Sequence, residues 1–311
     1  MSMTAAARVS LERCPARLSA DHVARYAEDG YLAFNGFLSD DEVAALNEGL
    51  SEMVRSLLTR AQSGELEPRR GNWEGMRNYS GLLIEEKDGG FGILLEPEVE
   101  LDLRSATPEQ IENSFRKLSN TTRHHPRFRA VSDDPRLIGM LEALIGPKPI
   151  WYGDMTLCKP ARIGTDKPWH QDSAYFPYEP FGHGVGVWIA LDDAGVENGC
   201  MQVLRGGHKL GPKKHVHLSD CTIQPGRVDV SRAVPIEMEP GGILLFSPLL
   251  PHYTPPNRSD RRRRASQLFY RAAYTKMITQ EQHARNFVES DGTPATCAAA
   301  KQAAPASLAS S

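Results

Sequence analysis

The residue types and spacing best suited to chemistry lie in Pro168 to Pro177, PWHQDSAYFP. His170 and Asp172 stand two apart there. On a strand, alternate side chains share a face, so both can point one way while Gln171 points the other. One imidazole and one carboxylate make two members of the facial 2-His-1-carboxylate set that holds non-haem Fe(II) with three positions open. Alone, the pair is better read as an ordinary polar turn at a strand end. The missing ligand must come from a later strand that folds back alongside. GGILLFSPLLPHYTPPNRSDRRRRASQLFY supplies a candidate in His252, reached from the apolar run Ile243 to Phe246. A Pro/Asn turn follows, and Arg261 to Arg264 open the next strand. An arginine entering there could clamp a dicarboxylate, because its planar fork matches a carboxylate bidentately and stays charged when desolvated.

Other histidines suit ligation less well. His208 in RGGHKLG is expected to be a structural loop residue, and His215 and His217 (HVH) to sit in a solvated, Lys-rich loop. His124 and His125 adjoin Pro126 and should point apart. Asn198 before Gly199 is a tight-turn residue whose side chain could border the pocket. The Asp192-Asp193 pair and the Asp40-Asp41-Glu42 run are expected to be exposed, and Cys158 and Cys200 to be buried fillers.

The elements that must position these residues come in two blocks. Helices dominate to about residue 148. Ser19 and Ser39 are N-cap candidates, and Val43, Leu46, Leu50, Met53, Val54 and Leu57 recur at helical spacing, with GYLAFNGFL as a short strand before them. Residues 64–100 have little periodicity and are expected to form a long loop, whereas TPEQIENSFRKLSNTTRHHPRF and DPRLIGMLEALIG suit helices. From about 149 to 276, short β-prone runs alternate with turn signals such as Asn198-Gly199 and Pro240-Gly241-Gly242, the pattern of a sandwich or barrel. The expected fold is α+β, a double-stranded β-helix (jelly-roll, cupin-like) core flanked by N-terminal helices. Residues 1–17 are expected to be a loose leader, 18–289 one domain, and 290–311 a disordered Ala/Ser/Pro tail.

The composition is that of a globular chain: 311 residues, 40% hydrophobic, 24% charged, net charge −3. This gives no reason to expect a nucleic-acid partner. No apolar run is long enough to span a membrane. The five scattered cysteines, without a C-x-x-C pair, argue against a disulfide framework or thiolate zinc site and suit a reducing, cytoplasmic setting.

The chain resembles the phytanoyl-CoA dioxygenase family of Fe(II)/2-oxoglutarate-dependent oxygenases. The resemblance rests on PWHQDSAYFP, VGVWIALDDAGVENGCMQVLRGGHKLG, EMEPGGILLFSPLLPHYTPPNRSDRRRR and YAEDGYLAFNGFLSDDEVAAL, which lie in the family's order over residues 18–275. It implies that His170, Asp172 and His252 are the catalytic metal ligands. It further implies that Arg263, eleven residues after His252, binds the distal carboxylate of 2-oxoglutarate with support from Thr254. Trp188 would line the cofactor pocket, and Lys117 would reach it from the helical part. Strand alternation from Arg263 turns Ala265, Gln267 and Phe269 inward; Gln267, Phe269 and Tyr175 are candidate substrate-pocket residues. The chain departs from the family in RGGH, where Pro-Gly-Ser-His is usual, and in Tyr253, where a small residue is usual.

The implied cofactors are Fe(II), 2-oxoglutarate as co-substrate and O2, with ascorbate helpful in vitro. The implied reaction hydroxylates a small molecule and yields succinate and CO2. A carboxylate at 172, where related halogenases have Gly or Ala, favours oxygen over chloride chemistry. The loops 64–100 and 173–184 are expected to cover the substrate. Expected partners are a small-molecule substrate only, with no membrane or nucleic acid, and a monomer or homodimer. Two other readings stay open: a non-catalytic jelly-roll binding module, and a cupin-like metal-dependent hydrolase or isomerase that would not need Arg263.

Overall fold

The computed structural model describes residues 11–71, 77–87 and 90–288. Two antiparallel sheets make the core. The larger has nine strands, in the order Tyr31–Phe34, Ile243–Phe246, Gly184–Ala190, Arg263–Arg271, Ile150–Lys159, Phe115–Ser119, Gly92–Leu95, Leu82–Glu85, Arg69–Arg70. The smaller has four, in the order Val234–Ile236, Met201–Val203, His252–Thr254, Lys167–His170. This is the jelly-roll expected from the turn spacing.

Alternation along each central strand divides the core in two. Val185, Val187 and Ile189 face the helices, while Trp188 and Ala190 face the opposite sheet. Leu268 and Tyr270 likewise face the helices, and Ala265 packs between the sheets. The helix Asp40–Gln62 covers the outer face with Leu46, Leu50, Met53 and Leu57. It starts where the sequence says it must. Ser39 Oγ accepts from Glu42 N, and Glu42 Oε2 accepts from Ser39 N, so two otherwise orphaned donors are satisfied. The helix Ala20–Asp29 ends at Gly30, whose φ of 83° is left-handed.

The first half of the chain is less helical than expected. It contributes five of the nine strands of the large sheet. Three of them, Arg69–Arg70, Leu82–Glu85 and Gly92–Leu95, fall in the stretch expected to be loop. They are only two to four residues long, too short for alternation to register. The expected helix over 107–128 is interrupted by the strand Phe115–Ser119, set between the helices Pro108–Glu112 and Thr121–His124. Pairing with Gly92–Leu95 and Ile150–Lys159 satisfies its backbone there and overrides local helix propensity.

Of the expected leader, residues 11–17 dock onto the core. Cys14 N donates to Asn35 O at 2.7 Å, and Leu11 packs between the sheets. Residues 1–10 and the expected tail lie outside the described residues. No helix among those described is long and apolar enough to cross a membrane. Cys158 and Cys200 are buried, and Cys221 is disulfide-bonded.

Candidate metal and co-substrate site

His170 ends the strand Lys167–His170 and stands directly opposite His252 on the neighbouring strand. Their ring centroids are 4.1 Å apart. Gln171 continues in extended conformation (φ −115°, ψ 131°), so Asp172 returns to the histidines' side even though the strand has given way to a 3-10 turn over Asp172–Tyr175. Gln171 is locked facing away. Its amide nitrogen donates to Leu249 O at 2.7 Å and Gly211 O at 3.0 Å, and its oxygen accepts from Lys213 N at 2.7 Å.

Candidate ligand atoms of His170, Asp172 and His252 lie within 4.8 Å of one another, and all three residues are buried. Nδ1 of His170 is 2.8 Å from Pro168 O, and Nδ1 of His252 is 3.0 Å from Leu250 O. A carbonyl only accepts, so each Nδ1 carries a proton, and a neutral ring then presents Nε2 as the ligating atom. Those Nε2 atoms sit 3.4 Å and 3.7 Å from Asp172 Oδ1. Burial, reinforced by neighbouring His170, pushes His252 down to about 4, which keeps it in the ligating neutral form. A facial set of two imidazoles and one carboxylate with Nε2 groups turned inward fits non-haem Fe(II).

Arg263 opens the long strand Arg263–Arg271 and points into the same cavity as the triad. Its guanidinium carbon stacks 5.4 Å from the Trp188 ring centroid. Only 1% of Arg263 is exposed, yet just Nη2 has an acceptor, Gly199 O at 3.2 Å; Nε and Nη1 have none among the described residues. Burial lowers its pKa to about 10. Orphaned guanidinium N–H groups in a buried cavity are what a carboxylate site looks like without its ligand. Arg264 faces the other way, with Nε and Nη2 on the two carboxylate oxygens of Asp192 at 2.9 Å and 2.7 Å. Arg261 pairs with Asp193 and Glu197, and Arg262 with Glu112.

Thr254, Trp188, Lys117, Tyr175, Gln267 and Phe269 all line this cavity. Gln267 Nε2 reaches Asp172 Oδ2 at 3.5 Å. Lys117 approaches from a strand rather than a helix, its ammonium 5.6 Å from the Tyr79 ring centroid. Tyr253 points away from the site and stacks on Trp169 at 5.5 Å, so that departure from the family leaves the metal side untouched.

Several lining residues were not anticipated: Tyr79, Arg116, Lys159, Thr165 and Lys167. Lys167 Nζ donates to Asp220 Oδ1 at 2.7 Å and to Tyr175 Oη at 2.6 Å. Arg116 reaches the other Asp220 oxygen at 3.4 Å, and Thr165 joins Arg116 to Glu96. Burial opposes charge on Asp220, but Lys167 and Arg116 outweigh it and hold the carboxyl below its ordinary value. This network braces Tyr175 and the start of the His170 strand.

Among the other histidines, His208 is not in a loop as expected but in the 3-10 helix Gly207–Leu210, where it bonds Ala27 O, and His124 and His125 diverge, one onto the Phe91 ring and one onto Glu52. His215 is not solvated as expected. It is buried on a strand, its Nδ1 on Lys213 O at 2.7 Å and its Nε2 accepting from Gln171 N at 3.1 Å. The side chain of Asn198 is used within its own turn, on Gly195 N and Asp193 O. Asp192 is not simply exposed, because it holds Arg264.

A jelly-roll that carries a buried His-Asp-His set beside an unsatisfied arginine defines the non-haem oxygenase class of site. Residues 26–265 match the phytanoyl-CoA dioxygenase (PhyH) family, and the chain belongs to that family. A mouse (Mus musculus) relative, phytanoyl-CoA dioxygenase domain-containing protein 1, is 27% identical over 272 residues, covering 80% of this chain and 88% of its own length. The peroxisomal phytanoyl-CoA dioxygenase of Rattus norvegicus is 25% identical over 280 residues, covering 85% of this chain and 73% of its own. Among solved structures, EvdO2 from Micromonospora carbonacea var. aurantiaca, complexed with 2-oxoglutarate, superposes with a TM-score of 0.57 at 22% identity, covering 84% of this chain and 94% of its own. EctD from S. alaskensis with bound Fe gives 0.60 at 19% identity, covering 84% and 79%. These likenesses establish the shared fold.

Proposed function

We propose that the protein is a non-haem Fe(II)/2-oxoglutarate-dependent dioxygenase that hydroxylates an unactivated C–H bond of a natural-product, acyl or amino-acid-like small molecule. The observation that carries this reading is that the triad's Nε2 groups and the unpartnered N–H groups of Arg263 open into one cavity. Bound iron and 2-oxoglutarate would supply the oxidising power through decarboxylation to succinate and CO2.

The chain's own residues do the positioning. His170, Asp172 and His252 would hold the metal on one face and leave the opposite face open. Arg263 would take the distal carboxylate, with the Thr254 hydroxyl beside it and Trp188 as the wall. The Gln267 amide steadies the free oxygen of Asp172. Tyr175 and Phe269 border the substrate side, where Phe269 joins Phe176 and Tyr178 in an apolar cluster that excludes water. Lys117 stands at the rim of the same cavity.

The test is formation of succinate from 2-oxoglutarate with Fe(II), O2 and ascorbate. Turnover is expected without added substrate at a low rate, and faster with a true substrate. A protein that binds iron but never makes succinate would contradict the reading.

A further inference from the structure

Opposite Arg263 on the neighbouring strand stands Lys159. Side chains directly across an antiparallel pair share a face with Cβ atoms only ~5 Å apart, and like charges there destabilise the sheet. Both are nearly inaccessible, Lys159 at 5% and Arg263 at 1% exposure. Neither makes an ion pair with a carboxylate among the described residues. Lys159 Nζ instead donates to two backbone carbonyls, Thr165 O and Thr254 O. An ammonium has three N–H donors, so one remains, and the side chain lines the cavity.

The fold makes room for this lysine. A Cβ on Gly199 would lie 2.6 Å from Lys159 Cδ, and one on Gly164 would lie 2.8 Å from Lys159 Cβ. Gly199 also supplies the carbonyl that Arg263 Nη2 uses. Burial, and then the charge of Arg263, hold the Lys159 ammonium well below its ordinary value. Two basic side chains held together in a buried cavity, with spare donors and no carboxylate in direct contact among the described residues, are tolerable where an anion comes to sit between them.

We infer that Lys159 is the second cation for the distal carboxylate of the co-substrate, so that an Arg263–Lys159 pair, not Arg263 alone, selects a dicarboxylate. This rests on the co-substrate reading above and adds a specificity-determining residue to it. The ligand's distal carboxylate has two oxygens and spare lone pairs, enough for the orphaned guanidinium donors and one ammonium N–H. Lys159 reaches it while still tying the Thr165 loop to the Thr254 strand.

The test uses the full chain with Mn(II) in place of iron, titrated calorimetrically with 2-oxoglutarate and with 2-oxopentanoate, which carries a methyl where the distal carboxylate would be. Wild type is expected to prefer 2-oxoglutarate at least ~100-fold. Lys159→Gln keeps a donor for the carbonyls and removes the charge. It is expected to cut that preference at least ~10-fold, the scale of one charge-assisted hydrogen bond, with 2-oxopentanoate affinity within about threefold of wild type. Lys159→Met should do the same if the Gln variant folds poorly, and Lys159→Arg should restore most of the preference. A variant that keeps the wild-type preference, or that loses both ligands equally, would show Lys159 to be a backbone clamp and overturn the inference. Wild type that fails to prefer 2-oxoglutarate would instead sink the co-substrate reading.

Discussion

The two faces of the strand Arg263–Arg271 solve opposite problems. On the outer face Arg264 has its Nε and Nη2 on Asp192, Leu268 is in the helix-side core, and Tyr270 Oη donates to Ser132 O at 2.8 Å. On the inner face Arg263 is more deeply buried than Arg264 yet keeps Nε and Nη1 without an acceptor among the described residues. A structural arginine comes with its carboxylate; one kept for a ligand does not. Burying a cation unpaired is costly, so the inner face carries a cost that only ligand binding offsets.

The largest expected effect breaks the inner face at the metal. His252→Ala should reduce turnover by at least ~1000-fold, because ligands of one centre act as a unit. It should also abolish tight Mn(II) binding, as read by calorimetry. Near-wild-type turnover would remove His252 from the site. Next comes Arg263→Met, which should raise the 2-oxoglutarate requirement at least ~30-fold. It should leave the melting midpoint of the ligand-free protein unchanged or higher, since a buried unpaired charge is being replaced by an apolar chain of similar length. A lower midpoint with an unchanged 2-oxoglutarate requirement would reverse the roles of the two faces.

Arg264→Met is the converse. Asp192 loses its partner, so stability should fall by about 2–3 kcal/mol, measured by urea unfolding. The 2-oxoglutarate requirement should stay within about twofold, as it should for Arg262→Ala.

The same contrast extends to the histidines and gives the smallest effect. His170 and His252 leave Nε2 open, while both nitrogens of His215 are used. Burial pushes His215 down to about 3. Between that value and the unfolded value near 6.5, the unfolded chain binds the extra proton, so stability falls as pH falls. The loss from this one group should be about 1 kcal/mol between pH 7 and pH 5.5. His215→Gln should flatten the pH dependence of the urea midpoint by that amount, and an unchanged slope would show that His215 does not stay neutral.

What could be read from the chain itself was the part carried by long, regular strands. The alternation of Arg263, Ala265, Gln267 and Phe269 against Arg264, Ser266, Leu268 and Tyr270 separated the two faces of the strand but barely chose between them; the eleven-residue spacing from His252, which the family resemblance carries, pointed to Arg263, and Arg263 lies in the cavity. The His-Gln-Asp spacing worked through the same alternation, although Asp172 keeps its side only because Gln171 stays extended past the strand end. The rest depended on pairing between segments distant in sequence. Arg116 and Lys117 lie on a five-residue strand that local propensity would make helix, and Asp220 and Glu96 come from loops. Lys159 did leave a trace. It continues the inward series Met155 and Leu157 as the one charge on an otherwise apolar face, a signal visible only once that register is fixed.

The central claim is that the inner face of the strand and the triad together hold one dicarboxylate and one metal. A crystal structure of the protein with Mn(II) and 2-oxoglutarate tests it most directly. The account expects the metal on His170 Nε2, Asp172 and His252 Nε2. The distal carboxylate should lie bidentate on Arg263, with its Nε and Nη1 donors satisfied and Lys159 within hydrogen-bond reach. A distal carboxylate on Arg262 or Arg264, or a metal bound without His252, would contradict it.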